Sequence, residues 1–142
     1  MESKVFITEE KIDVSRLEDW VWSPTCGATL CFLGKVRNHN ESKKVLSLEY
    51  SAYKEMAEKE MHKIVEEAFH KWPFEKCIFV HRVGRLCVGE TAVALLISSF
   101  HRKEAYEASQ FIMRSLKKTV PLWKKEFYED GSLWLGVQCQ HE

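Results

Sequence analysis

A proline near the C-terminal end does most to constrain how this chain can fold. Pro121 interrupts an apolar segment and has a pair of lysines on each side, at positions 117–118 and 124–125. Proline cannot sit inside a helix, and it pushes the preceding residue towards an extended conformation. The segment therefore predicts a helix that ends at residue 118 or 119 and a strand that begins at Leu122.

The four lysines have two interpretations. Cations suit the negative C-terminal end of a helix, and lysines in an alternating strand can point to solvent. Alternatively, the two pairs flank one corner of the fold and form half of an anion-binding pocket. The first interpretation is the simpler one for these lysines taken alone, so the second depends on basic residues elsewhere.

A second basic site lies where a predicted strand leads into a helix. Residues 91–97 form a nearly continuous apolar run, and His101 and Arg102 follow it at the start of a helical pattern. A cation at a helix N-terminus is unfavourable by a few tenths to about 1 kcal/mol, whereas a bound anion is stabilised there. We therefore expect an anion at these two residues. Arg102 could instead pair with Glu104 or Glu107, and His101 could be a neutral cap.

A third basic element follows the apolar stretch 28–33. Gly34 in this predicted strand indicates a bulge or a close approach of two backbones, and Arg37 opens a polar loop. An ordinary hairpin connection explains residues 38–42, so the expectation of anion binding is confined here to Lys35 and Arg37.

Composition excludes several classes of protein. The 142 residues fit one domain, and 21 basic residues balance 21 acidic ones. The absence of net charge argues against a general nucleic-acid binder, because such binding comes from phosphate neutralisation. No apolar run approaches the roughly 18 residues that span a bilayer, and the first residues do not resemble a secretory signal. We expect a cytosolic protein that does not enter a membrane.

The cysteines and histidines do not suggest a metal site. The cysteines are odd in number and lack Cys-x-x-Cys spacing, so we expect buried thiols in a reducing compartment. A zinc site needs four ligands in closely spaced pairs, and we expect none from this set. The residues considered are Cys26, Cys31, Cys77, Cys87, Cys139, His39, His62, His70, His81, His101 and His141.

Hydrophobic periodicity predicts an α+β fold: a mixed or antiparallel sheet with helices packed on it. Asp13 caps the first predicted helix, and Asp130-Gly131 is a strong hairpin signal between the last two strands. Residues 84–90 contain two glycines and are predicted to be a turn. The predicted strands are 5–7, 28–36, 45–50, 77–80, 91–97, 122–128 and 133–137, and the predicted helices are 14–21, 53–72 and 102–118.

One copy of the chain cannot easily bring all of the basic groups together. His101 and Arg102 begin the last helix and Lys117 ends it, so about 22 Å of helix axis separates them. If all of them serve one ligand, the simplest geometry is a twofold dimer. One copy then supplies the helix N-terminus and the other supplies the lysines.

Several separated motifs resemble one family. They occur in the order Gly34-Lys35-Val36-Arg37-Asn38, Ser47-Leu48-Glu49-Tyr50, Lys71-Trp72-Pro73, His81-Arg82-Val83-Gly84, Ser98-Ser99-Phe100-His101-Arg102, Leu116-Lys117 and Pro121-Leu122-Trp123-Lys124-Lys125-Glu126. Together they resemble the large, catalytic subunit of molybdopterin synthase. The likeness runs from about Val5 to Trp134 and looks closer to animal members than to bacterial ones. Phe100 departs from the pattern, because a small residue commonly precedes the His-Arg pair.

The resemblance implies one large-subunit domain over residues 1–142, with a fold like an α/β hammerhead. It implies that a small ubiquitin-like partner ending in Gly-Gly donates sulfur from a C-terminal thiocarboxylate. The acceptor is cyclic pyranopterin monophosphate, and the product carries the dithiolene of molybdopterin. Two large subunits form the centre of a heterotetramer with a small subunit at each end, and no bound cofactor is required.

The resemblance also assigns residue roles. Lys117 is the principal catalytic residue, acting as general acid or base and holding the donor carboxyl end. Lys124 is the second catalytic candidate, with Lys125 and Glu126 beside it. The remaining substrate-binding residues are His101, Arg102 and Arg37 for the phosphate and pterin, and the backbone of Lys35 and Val36 as the lining of the site.

Two other functions remain open. A non-catalytic module could use the same basic corner to grip a partner's acidic tail without altering it. An RNA reader could stack bases on Trp123 or Phe100, although the lack of net charge and of a known RNA motif argues against it. Trp123 itself is expected to be a core residue.

Overall fold

The computed structural model describes residues 1–137, which form nine strands and three helices. In chain order they are β1 (Glu2–Thr8), α1 (Val14–Val21), β2 (Ala28–Lys35), β3 (His39–Asn40), β4 (Lys43–Ala52), α2 (Lys54–Lys71), β5 (Lys76–Arg82), β6 (Gly84–Cys87), β7 (Thr91–Ser99), α3 (Arg102–Thr119), β8 (Leu122–Tyr128) and β9 (Leu133–Val137).

The first sheet has the strand order β1-β5-β7-β2, with β1 parallel to β5 and the other pairs antiparallel. Its central strands β5 and β7 are buried along almost their whole length because both faces are covered. On one face Phe79 and Leu95 pack under α2 and α3, and on the other face Ile78 and Leu96 pack under α1.

The second sheet has the order β3-β4-β8-β9, and β6 pairs with residues 47–50 of β4 on the edge opposite β8. A separate cluster joins it to the first sheet, with Val36 and Ala92 on one side and Leu48, Tyr50 and Leu86 on the other. The two sheets therefore meet where β2 ends and β7 begins. The structure confirms the predicted α+β fold with helices on a mixed sheet.

The helix boundaries follow the predicted signals. The Asp13 side chain accepts a hydrogen bond from the Arg16 backbone N–H and caps α1. Helix α3 ends at Thr119, and the Val120 N–H closes its last turn on the Leu116 carbonyl before Pro121. No described helix is both long enough and apolar enough to cross a bilayer.

Two turn predictions had different outcomes. Gly131 has φ +85° in the connection between β8 and β9, which confirms the predicted hairpin. The predicted turn over residues 84–90 is partly wrong, because residues 84–87 form β6. Leu86 is fully buried opposite Leu48, and this cross-strand contact outweighs the turn propensity of the flanking glycines.

The expectation of buried cysteines is wrong for most of them. Cys77 is fully buried, and this burial raises its pKa well above the usual range. Cys31 and Cys87 are exposed, and Cys26 is half-buried. Cys31 lies on β2, an edge strand of the first sheet, whose residues are much less buried than those of the central strands β5 and β7. Cys139 and His141 lie outside the described residues.

Candidate functional site

A small polar cavity of about 60 Å³ lies where the two sheets meet. We call it the basic cavity, because lysine, arginine and histidine side chains surround a single carboxylate. Its lining residues are Lys35, Val36, Arg37, His39, Val45, Leu48, Tyr50, Lys124 and Glu126. The structure therefore brings together five of the predicted site residues: Lys35, Val36, Arg37, Lys124 and Glu126.

The alternation of β8 decides which of its side chains reach this cavity. Lys124 and Glu126 lie opposite Tyr50 and Leu48 of β4, and their side chains share one face of the strand. Lys125 lies between them in sequence and therefore projects from the other face, where its ammonium lies 5.3 Å from the centre of the Phe127 ring. The expected placement of Lys125 beside Lys124 in the site is wrong, because neighbouring residues of a strand face opposite sides.

Glu126 is a nearly buried carboxylate with three donors. One of its oxygens accepts hydrogen bonds from Tyr128 Oη at 2.7 Å and Asn40 Nδ2 at 2.9 Å. The other oxygen is 3.1 Å from the Lys124 ammonium, whose side chain is only 11% exposed. A buried charge is stable only when its hydrogen-bonding capacity is used, and these contacts hold the ammonium of Lys124 at one place in the cavity.

The environment also determines the charge states around Lys124. Burial acts to raise the pKa of Glu126, but the hydrogen bonds from Tyr128, Asn40 and Lys124 outweigh it and leave the pKa below its ordinary value. Burial, reinforced by the charge of Glu126, raises the pKa of Tyr50 to about 12. The cavity thus contains a carboxylate anion and a neutral phenol at physiological pH.

The segment 35–37 reaches the cavity through an irregularity in the sheet. The register of β2 against β7 shifts between Gly34 and Lys35, as the glycine predicted. A Cβ on Gly34 would lie 2.6 Å from Cγ1 of Val93, so the two strands approach closely as well. Beyond the shift, Val36 is buried, whereas Lys35 and Arg37 on either side of it are exposed.

His101 and Arg102 lie at the far end of the first sheet. Ser99 pairs with Ala28 at one end of the β2–β7 ladder, and Thr91 pairs with Lys35 at the other. These ends are about 26 Å apart at 3.3 Å per residue. Within one chain, the structure does not bring His101 and Arg102 to the basic cavity.

The contacts of His101 distinguish between an anion-binding role and a neutral helix cap. It is the N-cap residue of α3, and its side chain makes no capping hydrogen bond among the described residues, so the neutral-cap alternative has no support. Phe100 is exposed, with its ring centre 4.8 Å from that of His101. The departure from the family pattern therefore adds an aromatic surface next to the predicted anion site.

Lys117 lies at the cavity end of the sheet. Helix α3 starts after the last residue of β7 and packs against β7 and β2, so it must run back along them. Its last turn, which contains Lys117 and Lys118, therefore returns to the end where Lys35 and Arg37 lie. Lys117 is half-buried, and Lys118 is exposed.

Several residues of the site were not predicted from the sequence: His39, Val45, Leu48 and Tyr50 line the cavity, and Asn40 and Tyr128 hold Glu126. The sequence predicts an ordinary hairpin connection at Asn40, but its side chain donates a hydrogen bond to Glu126, 86 residues away in sequence. The period of two along β8 could have placed Tyr128 on the face of Lys124 and Glu126. Trp123, expected in the core, is 41% exposed because it lies on the opposite face of β8.

Comparison with known proteins identifies the family. The family model described as "MoaE protein" matches residues 7–119, which is most of the chain. This chain belongs to the MoaE protein family. A human relative named molybdopterin synthase catalytic subunit is 44% identical over 129 residues, covering 91% of this chain and 69% of the relative. The resemblance predicted from the motifs is thereby confirmed.

Solved structures of the MoaE family and its fold agree with this assignment. The crystal structure of molybdopterin synthase from Staphylococcus aureus matches with a TM-score of 0.87 and 36% identity, covering 93% of this chain and 96% of that one. A Helicobacter pylori structure, titled as a complex of subunits 1 and 2 of molybdopterin-converting factor, matches with a TM-score of 0.70. It covers 90% of this chain and 86% of that one, and at 19% identity it shows the shared fold alone.

Proposed function

We propose that this chain is the catalytic subunit of a molybdopterin synthase. In this reaction a small ubiquitin-like partner ending in Gly-Gly donates sulfur from its C-terminal thiocarboxylate to cyclic pyranopterin monophosphate. Two transfers and the opening of the cyclic phosphate produce the dithiolene of molybdopterin. The observation that carries the proposal is the basic cavity, where an immobilised lysine lies beside two further cationic side chains in a chain of the MoaE family.

The charges of the reactants explain why such a cavity is useful. The donor tail ends in an anion and the acceptor carries a phosphate, so two negative groups must approach each other. Fixed cations offset this repulsion and stabilise charge that develops during transfer, most strongly where water is excluded. Lys124, held by Glu126, meets this requirement without a large reorganisation of side chains.

Lys117 is the proposed principal catalytic residue, acting as general acid or base and holding the carboxyl end of the donor tail. Lys124 is the second catalytic residue and binds the substrate or the acyl end. Arg37 binds the phosphate or the pterin, and the backbone of Lys35 and Val36 lines the site. Glu126 contributes by positioning Lys124.

The phosphate site is completed by a second copy of the chain. The ladder of about 26 Å between β2 and β7 separates His101 and Arg102 from the cavity of their own chain, so they serve the cavity of a twofold partner. This arrangement is the central dimer of a heterotetramer with one small subunit at each end. The human relative is named a catalytic subunit, which supports a second type of subunit.

Reconstitution tests the proposal. The purified chain, a thiocarboxylated Gly-Gly partner and the cyclic precursor are mixed, and the dithiolene product is detected by mass spectrometry. We expect Lys117→Ala to abolish product while the partner still binds, and the neighbouring exposed Lys118→Ala to retain activity as a matched control. A chain that binds the tail and leaves it unaltered would instead be a non-catalytic binding module, and near-normal turnover by Lys117→Ala would refute the assignment.

A further inference from the structure

Arg82 and Glu90 form an ion pair that the proposed chemistry does not use. Arg82 Nη1 donates to Glu90 Oε2 at 3.1 Å, and the two side chains are 8% and 23% exposed. The other carboxylate oxygen of Glu90 accepts the Cys87 backbone N–H at 2.7 Å. Arg82 Nη2 donates to the Glu9 carbonyl at 3.4 Å. One arginine thus links the end of β5 to the turn between β6 and β7.

That turn holds the backbone of Val36. The Val36 N–H donates to the Glu90 carbonyl at 3.0 Å, and the Gly89 N–H donates to the Val36 carbonyl at 2.9 Å. Val36 follows the shift in the β2–β7 ladder, so the regular pairing with β7 has already ended at Lys35. The two bonds to the turn replace that pairing at the point where the chain enters the basic cavity.

We infer that Arg82 and Glu90 are positioning residues for Lys35 and Arg37. The ion pair fixes the turn, the turn fixes the Val36 backbone, and the two cations on either side of Val36 are thereby aimed at the anionic substrate. This inference rests on the proposed function.

Two further observations support it. The hydrogen bonds from the Cys87 backbone and from Arg82 lower the pKa of Glu90, so the carboxylate stays ionised and paired. Glu90 has another cationic neighbour, Lys11, but its ammonium is 3.9 Å away on a side chain that is 84% exposed. Exposed ion pairs contribute little, so Lys11 provides a matched control on the same carboxylate.

The test is a double-mutant cycle measured in the reconstituted enzyme. KM for cyclic pyranopterin monophosphate and kcat are determined for Glu90→Gln, Arg37→Ala and the double variant. We expect Glu90→Gln to raise KM about tenfold with kcat nearly unchanged, because a misplacement of even about 1 Å in a binding group can cost up to 100-fold. In the Arg37→Ala background the same substitution should raise KM by a smaller factor, since only Lys35 is then left to be positioned.

Companion variants separate positioning from a general loss of folding. Arg82→Lys keeps the positive charge but cannot bond both Glu90 and the Glu9 carbonyl, so it should raise KM by less than Glu90→Gln does. Lys11→Ala should change KM less than twofold. An equal rise of KM in both Arg37 backgrounds, or no rise in Glu90→Gln, would overturn the inference while the substrate role of Arg37 stands. If Arg37→Ala alone left KM unchanged, that role in the proposed function would fall, and this inference with it.

Discussion

At the scale of single residues, the character of the basic cavity depends on one carboxylate. Glu126 is 4% exposed and would be costly to bury as an anion without its three donors. Lys124 depends on Glu126 in turn, because an ammonium that is almost buried also needs a partner. The main effect of the ion pair is therefore to fix the position of the Lys124 ammonium rather than to add much to the free energy of folding.

The charge of Glu126 predicts a specific dependence of stability on pH. Its pKa is lower in the folded chain than in the unfolded chain, where it is about 4.3, so its contribution is complete above that value. The contribution is lost as the pH falls through the folded-state pKa. We expect Glu126→Gln to be about 1–3 kcal/mol less stable than wild type at pH 7, with a difference that shrinks below about pH 4.3.

Urea unfolding from pH 7 to pH 3 measures this difference. Glu129→Gln is the control, because Glu129 forms an exposed ion pair with Lys44 near the end of the same strand. We expect this control to change the free energy of unfolding by less than about 1 kcal/mol at any pH. A Glu126→Gln difference that stays constant over the whole range would contradict the described network.

The two neighbouring lysines of β8 predict a contrast in activity. Lys124→Met should lower the rate of product formation about 100-fold, the usual effect of removing one fixed group that stabilises developing charge. Lys125→Met removes the same charge from the opposite face and should have a much smaller effect. Single-turnover product formation measures both variants, and equal losses would show that overall charge, rather than position, matters.

At the scale of elements, position along the sheet follows from pairing between strands. The apolar runs that became β5 and β7 were predictable, because a strand covered on both faces is apolar throughout. Helix α3 was predictable from its period and from Pro121. Strand β6 was not predictable. Its four residues, which begin with Gly84, carry too short a pattern and form a strand only through their pairing with β4.

The close approach of β2 and β7 predicts the outcome of substitution at Gly34. Gly34→Ala forces its Cβ against the buried side chain of Val93, and we expect a loss of about 1–3 kcal/mol in the free energy of unfolding. Shortening the neighbour removes the clash. The double variant Gly34→Ala/Val93→Ala should therefore be hardly less stable than Val93→Ala alone.

Urea unfolding of the wild type, the two single variants and the double variant measures the coupling between these sites. Additive losses would mean that the methyl group meets no obstacle at Val93. Product formation by the same variants shows whether a shift of β2 at Gly34 also displaces the neighbouring Lys35.

At the scale of the whole molecule, the arrangement of helices and sheets separates two groups of basic residues. Lys117 returns to the cavity end of the first sheet, whereas His101 and Arg102 stay at the other end. Only a second copy can bring both groups to one ligand, as the length of α3 already indicated.

This separation predicts complementation between two impaired variants. Lys117→Ala and Arg102→Ala each damage every site in their own homodimers. A mixed dimer contains one site with both residues intact, so random mixing of equal amounts should restore about a quarter of the wild-type activity. The two proteins are unfolded and refolded together, and product is measured against a mixture of the separately refolded variants. No gain over that control would rule out a shared site.

Local patterns along the chain were sufficient for the order of the helices and the longer strands, the family and the identity of most charged groups. Periodicity, proline and glycine act within a few residues and can be read directly. Which side chains share a cavity was decided only by the tertiary structure. Strand register placed Lys124 with Glu126 and turned Lys125 away, and sheet order brought Asn40 and the turn at Glu90 to the same end. These contacts join residues that are distant in sequence, and no local pattern specifies them.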